Sequence, residues 1–347
     1  TMNELDAHDD GYAKVLYLAW KYGDSTLVNI SQHRQYLKED AKKWPYWYDF
    51  EVAFKSATGQ SLKDFNEEWR RAMNTYYYGY KSQKETIEEV GDPLSIRGFS
   101  RVLSASLSPD SSLVAVIGRI RPAMRDYGLY TMTTDSLHSI KEVHHGRFSG
   151  RPTWSPNKEE MIIPQYHRGR HGSLINDLQL INIVTGKKQW VTQDMRALHP
   201  TFSAQGEGIF FVAHPEETSQ IYYKEIATGN QVMISDFEGD VQIQSLSLSP
   251  NGQQLAFMIQ DPTGAVDIAT MNIDGSQFAK VTNDPESDRL PVWTADGRSI
   301  IFTSHRNSTP NLYRVDLDSL NMIQMTDVAE GIYSRQRMPG SNMIIAS

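Results

Sequence analysis

Apolar and polar positions recur along this chain with a long period. SLSPDSSLVAV from Ser106, PTWSPNKEEMII from Pro152, PTFSAQGEGIFFVA from Pro200, SLSLSPNGQQLAFM from Ser245 and PVWTADGRSIIFTS from Pro291 share one pattern: a short apolar stretch, a turn tetrad, then an apolar β-rich run. The tetrads begin at Ser108, Ser155, Ser203, Ser249 and Thr294, at spacings of 47, 48, 46 and 45 residues. A Ser/Thr-Pro-Asp/Asn-Gly turn reverses the chain tightly because Gly and Asn accept positive φ and Asp bonds nearby backbone. After each apolar run come a polar loop, an alternating strand such as QIYYKEI or NLYRVDL, and a last short strand near MIQMT. Four strands per unit at this period predict the blades of a β-propeller, since unrelated sandwich strands would not share a repeated tetrad.

The same pattern, with Thr294-Ala-Asp-Gly297, Ser304-His-Arg306 and Leu312-Tyr-Arg-Val-Asp-Leu317 as its clearest copy, resembles the WD-like repeat of the TolB family. The third copy departs from it, with Ser203-Ala-Gln-Gly206 at the turn. The resemblance implies a mainly β fold: a six-bladed TolB-type propeller over residues 100–347, with five full blades and part of a sixth. Residues 335–347 align with the first two strands of a unit, so the chain reads as a fragment. The resemblance also implies a bacterial envelope location, periplasmic, secreted or at the cell surface.

Residues 1–82 lie outside the repeat and read as a small all-α module. GYAKVLYLAWKYG places aromatics on one helical face with Gly23 as its stop, a second helix follows over 25–37, and a Trp44-Pro-Tyr-Trp47 corner interrupts. A third helix runs over 48–58, and Ser61-Leu-Lys-Asp64 opens a long fourth one. Tyr12, Tyr17-Leu18, Tyr22-Gly23, Ala53-Phe54, Gly59, Ser61, Phe65 and Trp69 form a pattern similar to the C-terminal helices of gluzincin metallopeptidases. That family's zinc-binding His-Glu-x-x-His helix lies upstream of such helices, and no His-Glu-x-x-His occurs in this chain. Residues 83–99 read as a linker, with Thr86–Val90 as a strand that closes the final blade and hides a sheet edge.

Composition narrows the function. The net charge of −8 argues against general nucleic-acid binding. No apolar run is long enough to span a membrane, and the absence of cysteine removes disulfides and thiolate metal sites. No nucleophile elbow or phosphate-binding glycine loop is present. The tetrad acids Asp110 and Asp296 read as turn residues, and Tyr130, Tyr222 and Tyr313 as packing between blades.

In a four-stranded antiparallel blade, the loops between strands 2 and 3 emerge on the same face as the connectors between blades. On that face the alignment places Arg119, Arg121 and Arg125, the connector His144, His145, Gly146 and Arg147, the loop Tyr166, His167, Arg168, Arg170 and His171, and His305 with Arg306. The connectors carrying Asp236, Glu238 and Asp240, then Asp284, Glu286 and Asp288, make the remainder of the face acidic. Three readings of the basic residues stand side by side: a solvated rim, a docking site for an acidic peptide or free carboxylate, and a metal site on His144, His145, His167 and His171. The expected function is a non-catalytic protein- or peptide-binding scaffold without a cofactor in this chain. The alternative is the C-terminal portion of a secreted zinc metallopeptidase, with the zinc in an upstream domain and the propeller docking substrate.

Overall fold

The computed structural model describes residues 7–32, 50–92, 96–124, 126–135, 139–214, 218–333, 335–337 and 344–346. They divide into two compact units, 1–84 and 85–347.

The first unit holds helices α1 (Ala7–Tyr22), α2 (Thr26–Gln32), α3 (Phe50–Thr58) and α4 (Leu62–Lys81). Gly23 ends α1 in the left-handed region, at φ 95°, with its N–H on the Ala19 carbonyl at 2.7 Å. Ser61 caps α4: its hydroxyl accepts the Asp64 N–H at 3.1 Å. Leu18, Ile30, Ala53, Phe54 and Phe65 form the core, whereas Tyr12 is exposed. Beside that core, Glu68 accepts from Lys21, Gln60 and Tyr17. The Lys21 ammonium, followed by Gln60, pulls its carboxyl down to about 2. The Trp44–Trp47 corner lies outside the described residues.

In the second unit, residues 86–90 form no closing strand. Thr86 donates its N–H to the Glu89 carboxylate at 2.8 Å, and this local cap turns the segment into the short helix α5 (Ile87–Val90). Val90 packs against Ile301, Leu312, Val328 and Ile332. Sheet pairing is left to Glu85, which bridges Val328 in parallel.

The strands follow the repeat. Blade 1 is β1 (Arg101–Leu107), β2 (Leu113–Arg119), β3 (Tyr127–Thr133) and β4 (Lys141–Gly146). Blade 2 is β5 (Thr153–Trp154), β6 (Glu160–Arg168), β7 (Leu174–Asn182) and β8 (Lys188–Trp190). Blade 3 is β9 (Leu198–Phe202), β10 (Gly208–Ala213), β11 (Gln220–Glu225) and β12 (Gln231–Met233). Blade 4 is β13 (Gln242–Leu248), β14 (Gln254–Gln260), β15 (Val266–Asn272) and β16 (Ala279–Lys280). Blade 5 is β17 (Asp288–Trp293), β18 (Ser299–Ser304), β19 (Asn311–Asp316) and β20 (Met322–Gln324). Each is an antiparallel meander. The described residues thus form five complete blades rather than six. β21 (Arg335–Arg337) and β22 (Ile344–Ala346) make a separate two-stranded sheet.

The tetrads turn the chain as their chemistry requires. Their fourth residues, Ser111, Lys158, Gly206, Gly252 and Gly297, all have φ between 57° and 82°. The Ser or Thr that opens each tetrad is buried, and its hydroxyl accepts the N–H of the residue that begins the next strand, as for Leu113 on Ser108 at 2.9 Å. Asp110 and Asp296 accept from these hydroxyls, which makes them turn residues. Lys158 and the neighbouring serines hold the Asp110 carboxyl well below the usual carboxylate range.

No blade buries its faces alone. Ile163 and Ile181 of blade 2 pack with Ile117 and Leu129 of blade 1, and Phe257 of blade 4 packs with Val212 and Ile221 of blade 3. Tyr222 packs on the blade 2–3 cluster and Tyr313 lies in the blade 4–5 cluster. Trp154 and Trp293 reach back one blade, donating Nε1–H to the carbonyls of Ser106 and Ser247 at 3.1 and 3.0 Å. Stacked sheets that share cores with both neighbours are how repeat architectures gain stability.

Candidate binding site

A buried polar clasp closes the outer strands of blades 2 to 5. In the first half of the third strand stands Asp177, Gln220, Asp267 or Asn311, each almost wholly buried. Its side chain accepts from a hydroxyl on the last strand or just beyond it: Thr192 (2.8 Å), Ser235 (2.6 Å), Thr282 (3.5 Å) or Thr326 (2.9 Å). That hydroxyl in turn accepts the N–H of Leu178, Ile221, Ile268 or Leu312. In blades 2, 3 and 5 the same acceptor takes a connector N–H, from Met195, Phe237 or Val328, which pins the exit of the blade.

Blade 1 has no such clasp. Gly128 stands at the acceptor position, where a Cβ would meet the Tyr130 ring at 2.4 Å, and β4 offers Val143 and His144 in place of the hydroxyl. Its exit segment runs along β6 instead. Tyr166 donates its N–H to the Arg147 carbonyl at 2.8 Å, Ser149 donates to Pro164 at 3.1 Å, and Phe148 bridges Gln165. β6 and β7 are nine residues long, against six or seven for the corresponding strands of the other blades, so their hairpin projects past the sheet.

Between that hairpin and the β2–β3 loop lies a cavity of about 340 Å³ lined by Asp126, Tyr127, Arg147, Phe148, Tyr166 and Leu174. Arg147 approaches Asp126 through Nε at 3.5 Å. Arg119 lies over the outer wall, its guanidinium carbon 4.3 Å from the Tyr127 ring centre. Arg147, with Asp126 beside it, stands among Tyr127, Phe148, Tyr166 and Leu174, an arrangement able to hold a small charged group.

The match to the TolB beta propeller domain family covers residues 178–347, just under half of the chain. Tol-Pal system protein TolB of Bordetella pertussis (strain Tohama I) is 30% identical over 122 residues, covering 35% of this chain and 27% of that protein. TolB from Acinetobacter baumannii superposes with a TM-score of 0.55 at 15% identity over 67% of this chain and 55% of that one. A TolB from Agrobacterium tumefaciens, described as putative in its structure, gives 0.55 at 18% identity over 65% and 81%. The propeller is TolB-like. The chain's match spans about a quarter of the length of the curated relative, and structural likeness at these identities concerns the fold alone.

Of the residues expected on this face of the TolB-like propeller, the structure brings Arg147 and Tyr166 into the cavity and sets Arg119 against its wall. His144 and His145 belong to β4 and not to a connector. His144 turns into the blade 1–2 interface, where its Nδ1 accepts from Lys188 at 2.8 Å and its Nε2 donates to Gln165 at 3.2 Å. Burial first, then the Lys188 charge, push its pKa down. His145 faces Glu142 at 3.0 Å. Tyr166, His167 and Arg168 lie on β6 and not in a loop, because the strand runs on to Arg168. His167 meets buried Asp177 at 2.7 Å and packs 4.6 Å from the Trp190 ring. Arg168, Arg170 and His171 are exposed at the hairpin, with the Arg170 N–H on Asp194 at 2.7 Å. His305 and Arg306 belong to blade 5, where Arg306 is tied to Asp284 and Asp288. Arg125 lies outside the described residues.

The basic residues of the face are in part paired, while Arg168, Arg170 and His171 stay exposed. Arg147, His145, His167 and Arg306 each face an acid supplied by a nearby strand or loop. Among the described residues no three His, Asp or Glu side chains are grouped as a metal site, and no helix is long and apolar enough to cross a membrane. Tyr127, Phe148 and Leu174 carry no charge, so charge patterning did not mark these apolar walls. Gly128, the one departure from the acceptor pattern, was the available signal for them.

Proposed function

We propose that the propeller is a non-catalytic protein- or peptide-binding scaffold of the bacterial envelope, placed in the periplasm, which holds its partner on the face carrying the β2–β3 and β6–β7 hairpins. The observation that carries this reading is the cavity at the unclasped exit of blade 1, where Tyr166 and Leu174 stand exposed beside Arg147, over buried Phe148. Leu174 is 52% exposed, a cost in water that a partner would relieve. The likeness to a Tol-Pal system protein supports both the location and a role within an assembly of proteins.

A photo-cross-linking amino acid at Leu174, compared with one at exposed Val184 on the opposite face, tests the reading in cells. The expected result is a discrete protein adduct at 174, absent at 184, in the fraction released by osmotic shock. Equal labelling at both sites, or none at 174, would overturn it.

A further inference from the structure

The chemistry of the partner follows from what Arg147 leaves unused. We infer that the cavity between blades 1 and 2 receives an acidic side chain, Asp or Glu, next to an apolar or aromatic residue in an internal segment of the partner protein. This rests on the proposed binding role of the same cavity and adds the identity of the group that it selects.

Three observations point to a carboxylate. The contact of Arg147 with Asp126 is a single approach through Nε at 3.5 Å, longer than a hydrogen bond, and the arginine side chain is 65% exposed. A guanidinium in this state can still present its planar fork to a carboxylate, the geometry in which such pairs are strongest. Arg119, 4.3 Å from the Tyr127 ring, puts a second positive charge behind the wall. Asp126 sets the upper limit on charge. A dianionic phosphate on Arg147 would sit beside that carboxylate, whereas a monoanion can replace it as the partner of the fork.

The walls decide the rest of the ligand. Tyr127, Phe148, Tyr166 and Leu174 surround the arginine, so a carboxylate held there brings its neighbour against apolar surface. About 340 Å³ is at the lower end of ligand pockets, roughly 300 to 1,000 Å³, and suits a pair of side chains. Tyr166 and Leu174, 37% and 52% exposed, make the rim low, so the site is a trough that a chain crosses and not a blind hole that receives a chain end.

Saturation-transfer NMR on the full chain tests this with three tripeptides: acetyl-Leu-Glu-Phe-amide, acetyl-Leu-Gln-Phe-amide, and acetyl-Leu-Gln-Phe with a free C-terminal carboxylate. The expected result is about tenfold tighter binding of the glutamate peptide than of the glutamine amide, the size of one charge-assisted pair. The preference is expected to vanish in Arg147→Gln and to grow in Asp126→Asn, which removes the competing acid without touching the arginine. Equal binding of the two amides, or a preference that survives Arg147→Gln, would overturn the inference. So would an unchanged preference in Asp126→Asn, and a stronger response from the free acid would assign the carboxylate to a chain end instead. Equal binding of both amides that is lost on Tyr166→Ala with Leu174→Ala would leave the binding role standing while removing the acid. Failure of all three peptides together with no adduct at position 174 would remove both.

Discussion

Thr192 donates its hydroxyl hydrogen to Asp177 at 2.8 Å while its oxygen accepts the Leu178 N–H, also at 2.8 Å. Both residues are almost fully out of water, so neither bond can be exchanged for one to solvent. Thr192→Val keeps the shape of the side chain and removes both bonds, leaving a buried N–H and a buried carboxylate short of partners. The expected loss is about 1–3 kcal/mol, read as a lower urea midpoint with an unchanged slope. Thr282→Val is the weaker counterpart, since its bond to Asp267 is 3.5 Å long.

Ser111 occupies the fourth place of the first tetrad at φ 58°, where blades 3, 4 and 5 have glycine. A side chain in the left-handed region costs about 1–2 kcal/mol relative to the right-handed one. Glycine gives part of that back in unfolded-state entropy. Ser111→Gly is therefore expected to raise stability by up to about 1 kcal/mol, visible as a higher thermal midpoint. A fall would mean that the turn draws more from serine than its backbone angle shows.

His199 also stands at positive φ, 52°, where the inner strand of blade 3 is irregular. Burial, with a smaller push from His214, lowers its pKa from 6.5 to about 4. The folded state thus favours neutral imidazole. The associated stability is complete above pH 6.5 and is lost as pH falls from there towards 4, as the unfolded chain takes up a proton that the folded chain refuses. The shift corresponds to about 3 kcal/mol. His199→Asn, which tolerates the same backbone, is expected to flatten the stability profile between pH 6.5 and 4 in urea titrations. A profile that keeps its slope would assign the acid sensitivity to another group, with His144 the next to examine.

The blades were legible because the tetrad is a local device: the opening Ser or Thr and the left-handed fourth residue satisfy one another within a few residues, so the signal survives without knowledge of the fold. The clasp was legible in principle. Leu178, Ile221, Ile268 and Leu312 each precede the Ser or Thr that accepts their N–H by 14 residues, yet a lone hydroxyl after a short strand carries no obvious chemistry. Thr86-Ile-Glu-Glu89 shows the opposite failure. Its spacing is that of a helix cap, but its place before the first blade suggested a strand, and the nearby Glu89 carboxylate prevailed over distant pairing. The cavity was half legible. Arg147 and Tyr166 stood out by type, whereas Tyr127, Phe148 and Leu174 become a wall only when two hairpins meet. Charge counting alone does not show the pairing, because the partners sit on other strands or loops, as with His167 and Asp177 or Arg147 and Asp126.

Arg306 shows how strong that pairing becomes away from the surface. Its guanidinium donates to both oxygens of fully buried Asp288 at 2.6 and 3.2 Å and to Ser304 at 2.5 Å, with Asp284 completing the set. The Tyr313 and Phe302 ring centres lie 5.7 and 5.9 Å from its central carbon. Removing one member of a buried pair leaves the other charged without compensation, which costs more than the pair itself contributes. Arg306→Ala is expected to lose about 3–5 kcal/mol. Adding Asp288→Asn to that variant removes the stranded charge and should recover part of the loss, so the double variant should be more stable than Arg306→Ala alone. Urea unfolding of the four proteins in the cycle measures the coupling directly. Simple additivity would mean that Arg306 holds blade 5 by packing on the two rings and not through its charge.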